Sequence, residues 1–229
     1  MIGIAETTSA PRLMDLTQIT GPLLRCLLRG RVPFPTLFLL RCKVTLKQLK
    51  KRVPSSFPKE LVELAALPIW VYINLKERIG QEAAFEVMRV TILSAGIAQW
   101  NLAYRTSETK RTFANLCEAE IQVNQTGPTR WNTLSVVERS ERRFEIKITR
   151  CMYHELATAL GVPEFTPVVC QIDNAAFNSY LPDRIAFTRG GPGRRIADGA
   201  KECNFVWDVI DQPAEPIAGG TSPAVSPPI

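Results

Sequence analysis

Three cysteines in the C-terminal third of the chain offer the clearest reactive chemistry in the sequence. Cys151 follows an alternating, strand-like run, Cys170 lies three residues before Asp173, and Cys203 follows the turn residue Gly199. Thiols act as nucleophiles and as metal ligands, and a cysteine is often retained for reactivity rather than for packing. We therefore expect these three thiols to belong to one functional site.

The surroundings of Cys151 predict a nucleophile. This thiol lies in the first turn of a predicted helix, where the helix dipole and unpaired N–H groups favour the thiolate, as does the neighbouring cation of Arg150. His154, the only histidine, and Glu155 follow three and four residues later and lie within reach of Cys151. We predict that Cys151 attacks an electrophilic carbon and that Glu155 or Asp173 transfers the proton.

A metal site is the alternative use of the same residues. Cys151, Cys170 and Cys203, with His154 or Asp173, form a possible tetrahedral zinc site. The cysteines are 19 and 33 residues apart, which is wider than the paired motifs typical of zinc sites. The spacing therefore favours free thiols and no cofactor, with zinc as the alternative.

Composition indicates an ordinary globular protein. Hydrophobic residues make up 45% and charged residues 22% of the chain. No apolar run approaches the length of a membrane span, and the N-terminus lacks the pattern of a secretory signal. Six cysteines without such a signal favour a reducing compartment, so we expect a soluble, cytoplasmic protein.

Positive charge is concentrated at the N-terminus. The net charge is +6, yet residues 1–60 hold eleven Lys or Arg and three acidic residues. The basic stretch 41–52 predicts either contact with membrane headgroups or a solvated helix whose apolar side (Val44, Leu46 and Leu49) docks on the body. We favour the second interpretation, and we expect no nucleic-acid partner because no aromatic residues interleave with the cations.

Hydrophobic periodicity predicts an α+β fold. Its predicted helices cover 59–79, 81–100, 151–160 and 163–180, and its predicted strands cover 117–123, 131–138, 143–149, 185–188 and 203–210. We expect N-terminal helices packed on an antiparallel sheet, with two short helices inserted between strands. The predicted organisation is a basic extension over 1–58, an α+β domain over 59–211 and a disordered tail over 212–229.

Several motifs together resemble the L-2-amino-thiazoline-4-carboxylic acid hydrolase family. They are Ile-Thr-Arg-Cys151-Met-Tyr-His-Glu155, Leu-Gly161-Val-Pro-Glu, Cys170-Gln-Ile-Asp173 and Gly199 … Cys203-Asn-Phe205. The resemblance covers about residues 60–210. It implies hydrolytic opening of a cyclic amidine, in which the C=N carbon of a thiazoline is attacked and N-carbamoyl-L-cysteine is formed.

The chemistry of such a reaction suggests roles for individual residues. The catalytic candidates are Cys151, Glu155, Cys170, Asp173 and Cys203, and the substrate-binding candidates are Arg150, His154 and Asn204. Arg150, or an arginine of the 189–195 loop, is expected to bind the substrate carboxylate. The family motif usually has Asp where this chain has Asn204, so a biosynthetic enzyme acting on another ring or imine is a further alternative.

Overall fold

The computed structural model describes residues 17–105, 111–189 and 194–210. Within these ranges the chain is an α+β protein, as predicted, with seven α-helices and one antiparallel sheet. The helices are α1 (Thr17–Leu28), α2 (Pro35–Lys50), α3 (Lys59–Ile79), α4 (Gln81–Arg105), α5 (Phe113–Thr126), α6 (Met152–Ala159) and α7 (Thr166–Asn178). The strands are β1 (Thr133–Arg139), β2 (Arg143–Arg150), β3 (Ile185–Thr188) and β4 (Cys203–Val209).

Helices α1 to α4 share a core with α6 and α7. Its fully buried side chains come from successive turns of the amphipathic helices and include Leu28, Leu49, Leu61, Leu75 and Leu156. Helix α3 ends at Gly80, whose φ of +82° disfavours any side chain, and α4 starts at the next residue. This confirms the two long helices predicted from residues 59 and 81.

A glycine allows α4 and α7 to approach closely. A Cβ atom at Gly96 would lie 2.5 to 2.7 Å from three side-chain carbons of Ile172. Helix α7, which carries two of the predicted site residues, is therefore seated directly against α4. The helical layer thus fixes the position of α7.

The sheet has the strand order β1-β2-β4-β3, and every neighbouring pair is antiparallel. Strand β2 alternates as predicted, with Phe144, Ile146 and Ile148 buried on the inner face. These residues pair in register with Trp207, Phe205 and Cys203 of β4. Helices α5 and α7 cover this face, where Phe177 of α7 packs 4.9 Å from the Trp207 ring.

The connection between β2 and β3 contains α6, the short 3-10 turn Pro163–Phe165 and α7. This confirms the two helices predicted between strands. Cys151 follows the end of β2, which pairs with the start of β4 at Cys203. The hydrogen bond from Arg189, just after β3, to the Cys170 carbonyl brings α7 to the same end of the sheet.

The predicted strand 117–123 is wrong, because these residues lie within α5. Leu116, Cys117 and Glu120 are buried at helical spacing, and the Thr112 hydroxyl accepts a hydrogen bond from the Asn115 amide at the helix start. An apolar run of this length is compatible with the periodicity of a strand or of a helix. The Thr112 cap favours the helix. Burial against the inner face of the sheet then stabilises the segment.

The N-terminal prediction is confirmed in part. Leu49 of α2 is fully buried and Leu46 is half-buried, but Val44 is 64% exposed and does not dock on the body. Helices α1 and α2 bury side chains in the same core as α3. The domain boundaries after residues 58 and 211 stay predictions, and residues 1–16 and the predicted tail 212–229 lie outside the described residues. None of the described helices is long and apolar enough to cross a membrane.

Candidate active site

Cys151 occupies the junction between β2 and α6. It is the N-cap residue of α6, with extended backbone dihedrals, as expected for a residue that ends a strand and starts a helix. The Asn132 side chain accepts a hydrogen bond from the Met152 amide at 2.9 Å, so one unpaired amide of the first turn is satisfied. This contact fixes the start of α6 and the position of the Cys151 thiol.

Cys203 begins β4 and is held by the turn that precedes it. Gly199 has a φ of +92° and ends a short 3-10 turn, Ile196–Asp198. The reversal brings the Ile196 amide back to the strand, where it donates a hydrogen bond to the Cys203 sulfur at 3.0 Å. A donor on sulfur stabilises the thiolate relative to the thiol.

Burial controls the protonation of all three thiols. It raises the pKa of Cys151 to about 11, while the backbone amides of His154 and Tyr153 act in the opposite direction. It also raises the pKa of Cys170 and of Cys203. The amides of the helix start favour the Cys151 thiolate, as predicted, but burial acts more strongly and the net shift of the pKa is upward.

Electrostatic interactions connect the three thiols. Besides burial, Cys170 and Cys203 both raise the pKa of Cys151. Arg189 and Arg195 both lower the pKa of Cys170 and of Cys203, against the effect of burial. Because such interactions weaken with distance, the three sulfurs lie in one region of the protein.

Arg189, immediately after β3, is the centre of this region. Its side chain is only 8% exposed. The guanidinium donates to the Cys170 carbonyl at 3.0 Å and to the Asp173 carboxylate at 2.8 Å, and it lies 4.1 Å from the centre of the Phe205 ring. Its Nε atom is buried and has no partner among the described residues. We call Cys151, Cys170, Cys203, Asp173 and Arg189 the three-thiol site.

Asp173 combines a half-buried carboxylate with a fixed partner. Burial raises its pKa, and the Arg189 guanidinium opposes that shift. The carboxylate is one helical turn from Cys170, as its spacing predicts, and the ion pair with Arg189 orients it. A carboxylate of raised pKa is a stronger base, which favours Asp173 for proton transfer.

Three predicted site residues have other partners. Arg150 and Glu155 form a bidentate surface ion pair at 2.6 and 2.7 Å, and the hydrogen bonds from Arg150 lower the pKa of Glu155. The Nδ1 atom of His154 lies 3.1 Å from the Thr166 hydroxyl. A lowered pKa makes Glu155 a poor proton donor, so Asp173 is the better of the two acids predicted for that role.

Asn204 lies on the opposite side of the sheet from Cys203. It follows Cys203 in β4, and successive side chains of a strand point to opposite faces. Its partner in register is Lys147 of β2, on the outer face. The Asn204 side-chain oxygen is buried and, among the described residues, accepts no hydrogen bond.

Sequence reasoning did not single out two of the neighbouring residues. Arg195 forms a bidentate pair with Asp198 at 2.6 and 2.8 Å, and its charge acts on Cys170 and Cys203. Tyr153 is buried, and its hydroxyl donates to the Pro128 carbonyl at 2.8 Å. Tyr153 follows Cys151 by two residues, and Arg195 precedes Cys203 by eight. No spacing rule predicts that either residue interacts with the thiols.

Within the described ranges, no group of three or more His, Cys, Asp or Glu side chains has the geometry to hold a metal ion. The zinc alternative, with Cys151, Cys170, Cys203 and His154 as ligands, stays a prediction. A surface depression of about 620 Å³ lies elsewhere, between the start of α5 and the β1–β2 turn. It includes Cys117 and Arg139 but none of the three-thiol site, so we attach no chemistry to it.

Comparisons with known proteins bear on this site. The sequence model of the family described as L-2-amino-thiazoline-4-carboxylic acid hydrolase matches residues 59–207, well over half of the chain. Among curated proteins, none matches. Among solved structures, an Fe(II) unliganded H-NOX protein mutant from K. algicida is 11% identical over 84% of this chain and 96% of that chain, with a TM-score of 0.34, which is too low to carry an argument.

Proposed function

The chain belongs to the L-2-amino-thiazoline-4-carboxylic acid hydrolase family, and from this premise we propose that it opens a thiazoline-like cyclic amidine by cysteine-dependent hydrolysis. The observation that carries this proposal is the three-thiol site, in which the charge of a buried arginine with one unpaired donor acts on Cys170 and Cys203, and both of these thiols interact with Cys151. Family membership supports the hydrolase class. The substrate and the roles of individual residues are the proposal.

Arg189 supplies the substrate-binding group in this proposal. A buried N–H without a partner costs about 1 to 3 kcal/mol, so its retention favours a ligand that accepts from it. The carboxylate of a thiazoline-4-carboxylate is such an acceptor, and a hydrogen bond to a charged guanidinium is a strong one. The contacts to Cys170 and Asp173 hold the guanidinium in place before the substrate binds.

Cys203 is the nucleophile that the contacts favour. It receives the Ile196 amide hydrogen bond on sulfur, and the charges of Arg189 and Arg195 act on it. Cys151, the thiol favoured by sequence, is the second candidate. Because burial keeps the thiols protonated, the attack on the amidine carbon transfers the thiol proton to the ring nitrogen as the new C–S bond forms.

The remaining bonds follow from this adduct. The bond between the amidine carbon and the ring sulfur breaks, and the departing sulfur takes the extra proton from the nitrogen, which leaves an isothiourea on Cys203. Asp173 then accepts a proton from water as the water oxygen bonds to that carbon. Asp173 passes this proton to the amidine nitrogen, the C–S bond to Cys203 breaks as the C=O bond forms, and the Cys203 sulfur takes the remaining hydroxyl proton. The product is N-carbamoylcysteine, whose carbamoyl group is part of a urea. The net reaction adds one water molecule.

Replacement of Cys203 tests the cysteine dependence. We expect Cys203→Ser to lower kcat for release of N-carbamoylcysteine by a factor of about 100 or more, because the hydroxyl is a far weaker nucleophile. Cys117→Ser is the matched control, since Cys117 is buried to a similar degree in the same core but lies in α5, outside the three-thiol site. Product release is measured by liquid chromatography, with circular dichroism to show that both variants fold.

Two results would contradict the assignment. Full activity in Cys203→Ser would exclude Cys203 as the nucleophile, and the same experiment on Cys151→Ser would then test the second candidate. Full activity in both variants would contradict a cysteine-dependent mechanism. Equal losses in Cys203→Ser and Cys117→Ser would show an effect on packing rather than on chemistry.

A further inference from the structure

The outward face of α2 carries an apolar stripe that no described residue covers. Leu37, Leu40 and Val44 are 55 to 64% exposed, and their spacing of three and four residues places them on one face. The opposite face of the same helix buries Phe38, Cys42 and Leu49 in the core. The helix is therefore apolar on two sides, and only one of them packs against the body.

Phe34 extends this stripe at the start of the helix. Its side chain is 78% exposed, and it is the N-cap residue of α2. Its φ of +50° makes it the one non-glycine residue with positive φ in the described part of the chain. Residues with a Cβ atom disfavour this conformation, and such outliers often mark functional positions. The turn between Pro33 and Pro35 thus holds an aromatic ring in the open.

Cations border the stripe on both sides. At about 100° per residue, Arg41 lies on one side of Val44, and Lys43 and Lys47 lie on the other. All three are exposed, and none forms an ion pair with a described residue, whereas Lys50 is paired with Glu63 at 2.5 Å. No Asp or Glu occurs between residues 16 and 59. The outer face of α2 therefore presents unneutralised positive charge around an apolar centre.

We propose that this face of α2 binds the surface of an anionic lipid bilayer, with the apolar stripe in the headgroup–acyl boundary and the cations on the headgroups. A helix lying in the interface requires such a pattern, with apolar side chains in the centre and Lys or Arg at the borders. The cations on both borders of the stripe are complementary to the negative charge of anionic headgroups. This inference is independent of the proposed function.

Co-sedimentation of the full chain with vesicles tests the proposal. The probes are vesicles of phosphatidylcholine alone and vesicles in which about a third of the lipid is phosphatidylserine. We expect binding to the anionic vesicles only, and weaker binding at higher salt because exposed charges are screened. Equal binding to both compositions, or binding to neither, would overturn the proposal.

Matched variants identify the face that binds. We expect Val44→Glu and Lys47→Glu each to lower the vesicle partition coefficient by about tenfold or more, since each charge near an anionic surface changes binding several-fold. Val137→Glu is the apolar control, because Val137 is 52% exposed on the edge strand β1. Lys201→Glu is the charge control, because it is exposed before β4 and changes net charge equally.

The controls distinguish binding through α2 from a general effect of net charge or of exposed apolar residues. Equal losses in Lys47→Glu and Lys201→Glu, or in Val44→Glu and Val137→Glu, would overturn the assignment to α2. Analytical ultracentrifugation tests whether a second copy of the chain, rather than lipid, binds this face. A dimer of wild-type protein that dissociates in Val44→Glu, without vesicle binding, would assign the stripe to a second copy of the chain and contradict the lipid proposal.

Discussion

Arg189 is the residue on which the organisation of the three-thiol site depends. It ties α7 to the end of β3 through the Cys170 carbonyl and Asp173, and its ring contact with Phe205 ties it to β4. A guanidinium can satisfy this many partners at once because its five donors lie in one plane. One donor stays unpaired among the described residues, and in the proposed mechanism the substrate carboxylate completes the set.

Asn204 is the position at which the chain departs from the usual family motif, and its orientation allows a specific prediction. Because Asn204 points to the outer face of the sheet, we expect Asn204→Asp to change kcat/KM by less than about threefold. The measurement is the release of N-carbamoylcysteine at several substrate concentrations. A change of about tenfold or more would place this side chain in the reaction and contradict the stated geometry.

At the scale of elements, the contact between α4 and α7 positions Cys170 and Asp173. We expect Gly96→Ala to lower the free energy of unfolding by about 1 to 2 kcal/mol, because its Cβ would overlap Ile172 and the gain in helix propensity offsets only part of that cost. Urea denaturation followed by circular dichroism measures the change.

A second glycine provides the control for that substitution. Gly21→Ala in α1 places its Cβ more than 4 Å from every described atom beyond its chain neighbours and the backbone of its own helix, so only helix propensity and the contact with Pro22 act, and stability is expected to change by less than about 1 kcal/mol. A Gly96→Ala variant as stable as Gly21→Ala would contradict the close approach of α4 and α7. Activity of Gly96→Ala should also fall, because the site residues of α7 are seated on α4.

Elements with a strong local signal were predictable from sequence. Strand β3 matches its predicted residues, and α3 ends at Gly80 as the glycine indicates. The segment 117–123 was not predictable, because its apolar spacing fits both periods and the Thr112 cap precedes it by several residues. Local reasoning also placed Cys151 at a helix start and gave the direction of that effect on its pKa. It did not include the larger effect of burial, which is a tertiary effect that the sequence does not display.

Sequence indicates most of the residues of the three-thiol site, but it does not indicate the contacts among them. Cys151, Cys170, Cys203 and Asp173 are distinctive residue types at junctions or helical spacing, so sequence indicates them. Arg189 appeared only as one of several arginines near a glycine-rich loop. Its burial and its ion pair arise where α7, β3 and β4 meet, and no spacing rule predicts a contact among three elements.

At the scale of the whole molecule, thiols with a raised pKa make the free energy of unfolding fall at alkaline pH. Burial raises the pKa of Cys42, Cys117 and Cys151 from 9.0 to about 11. The unfolded chain loses these protons near pH 9 while the native state retains them, so stability is complete below pH 9 and is lost as pH rises toward 11. For a fully buried thiol this shift corresponds to about 2 to 3 kcal/mol.

Chemical denaturation at pH 8, 9 and 10 measures this loss. The free energy of unfolding is expected to fall over this range, and Cys42→Ala should make the decline shallower, because one raised pKa is removed. A decline of the same steepness in Cys42→Ala would assign the effect to other titrating groups. Stability that is constant over the range would contradict the burial of the thiols.

The most direct test of the central claim is hydrolysis of the thiazoline ring by the wild-type protein in water labelled with oxygen-18. Mass spectrometry then follows the formation of N-carbamoylcysteine from 2-amino-thiazoline-4-carboxylate. The mechanism predicts product formation above the rate without protein, with one labelled oxygen in the urea group. No product at high protein concentration would contradict the proposed function, and product without the label would contradict hydrolysis at the amidine carbon.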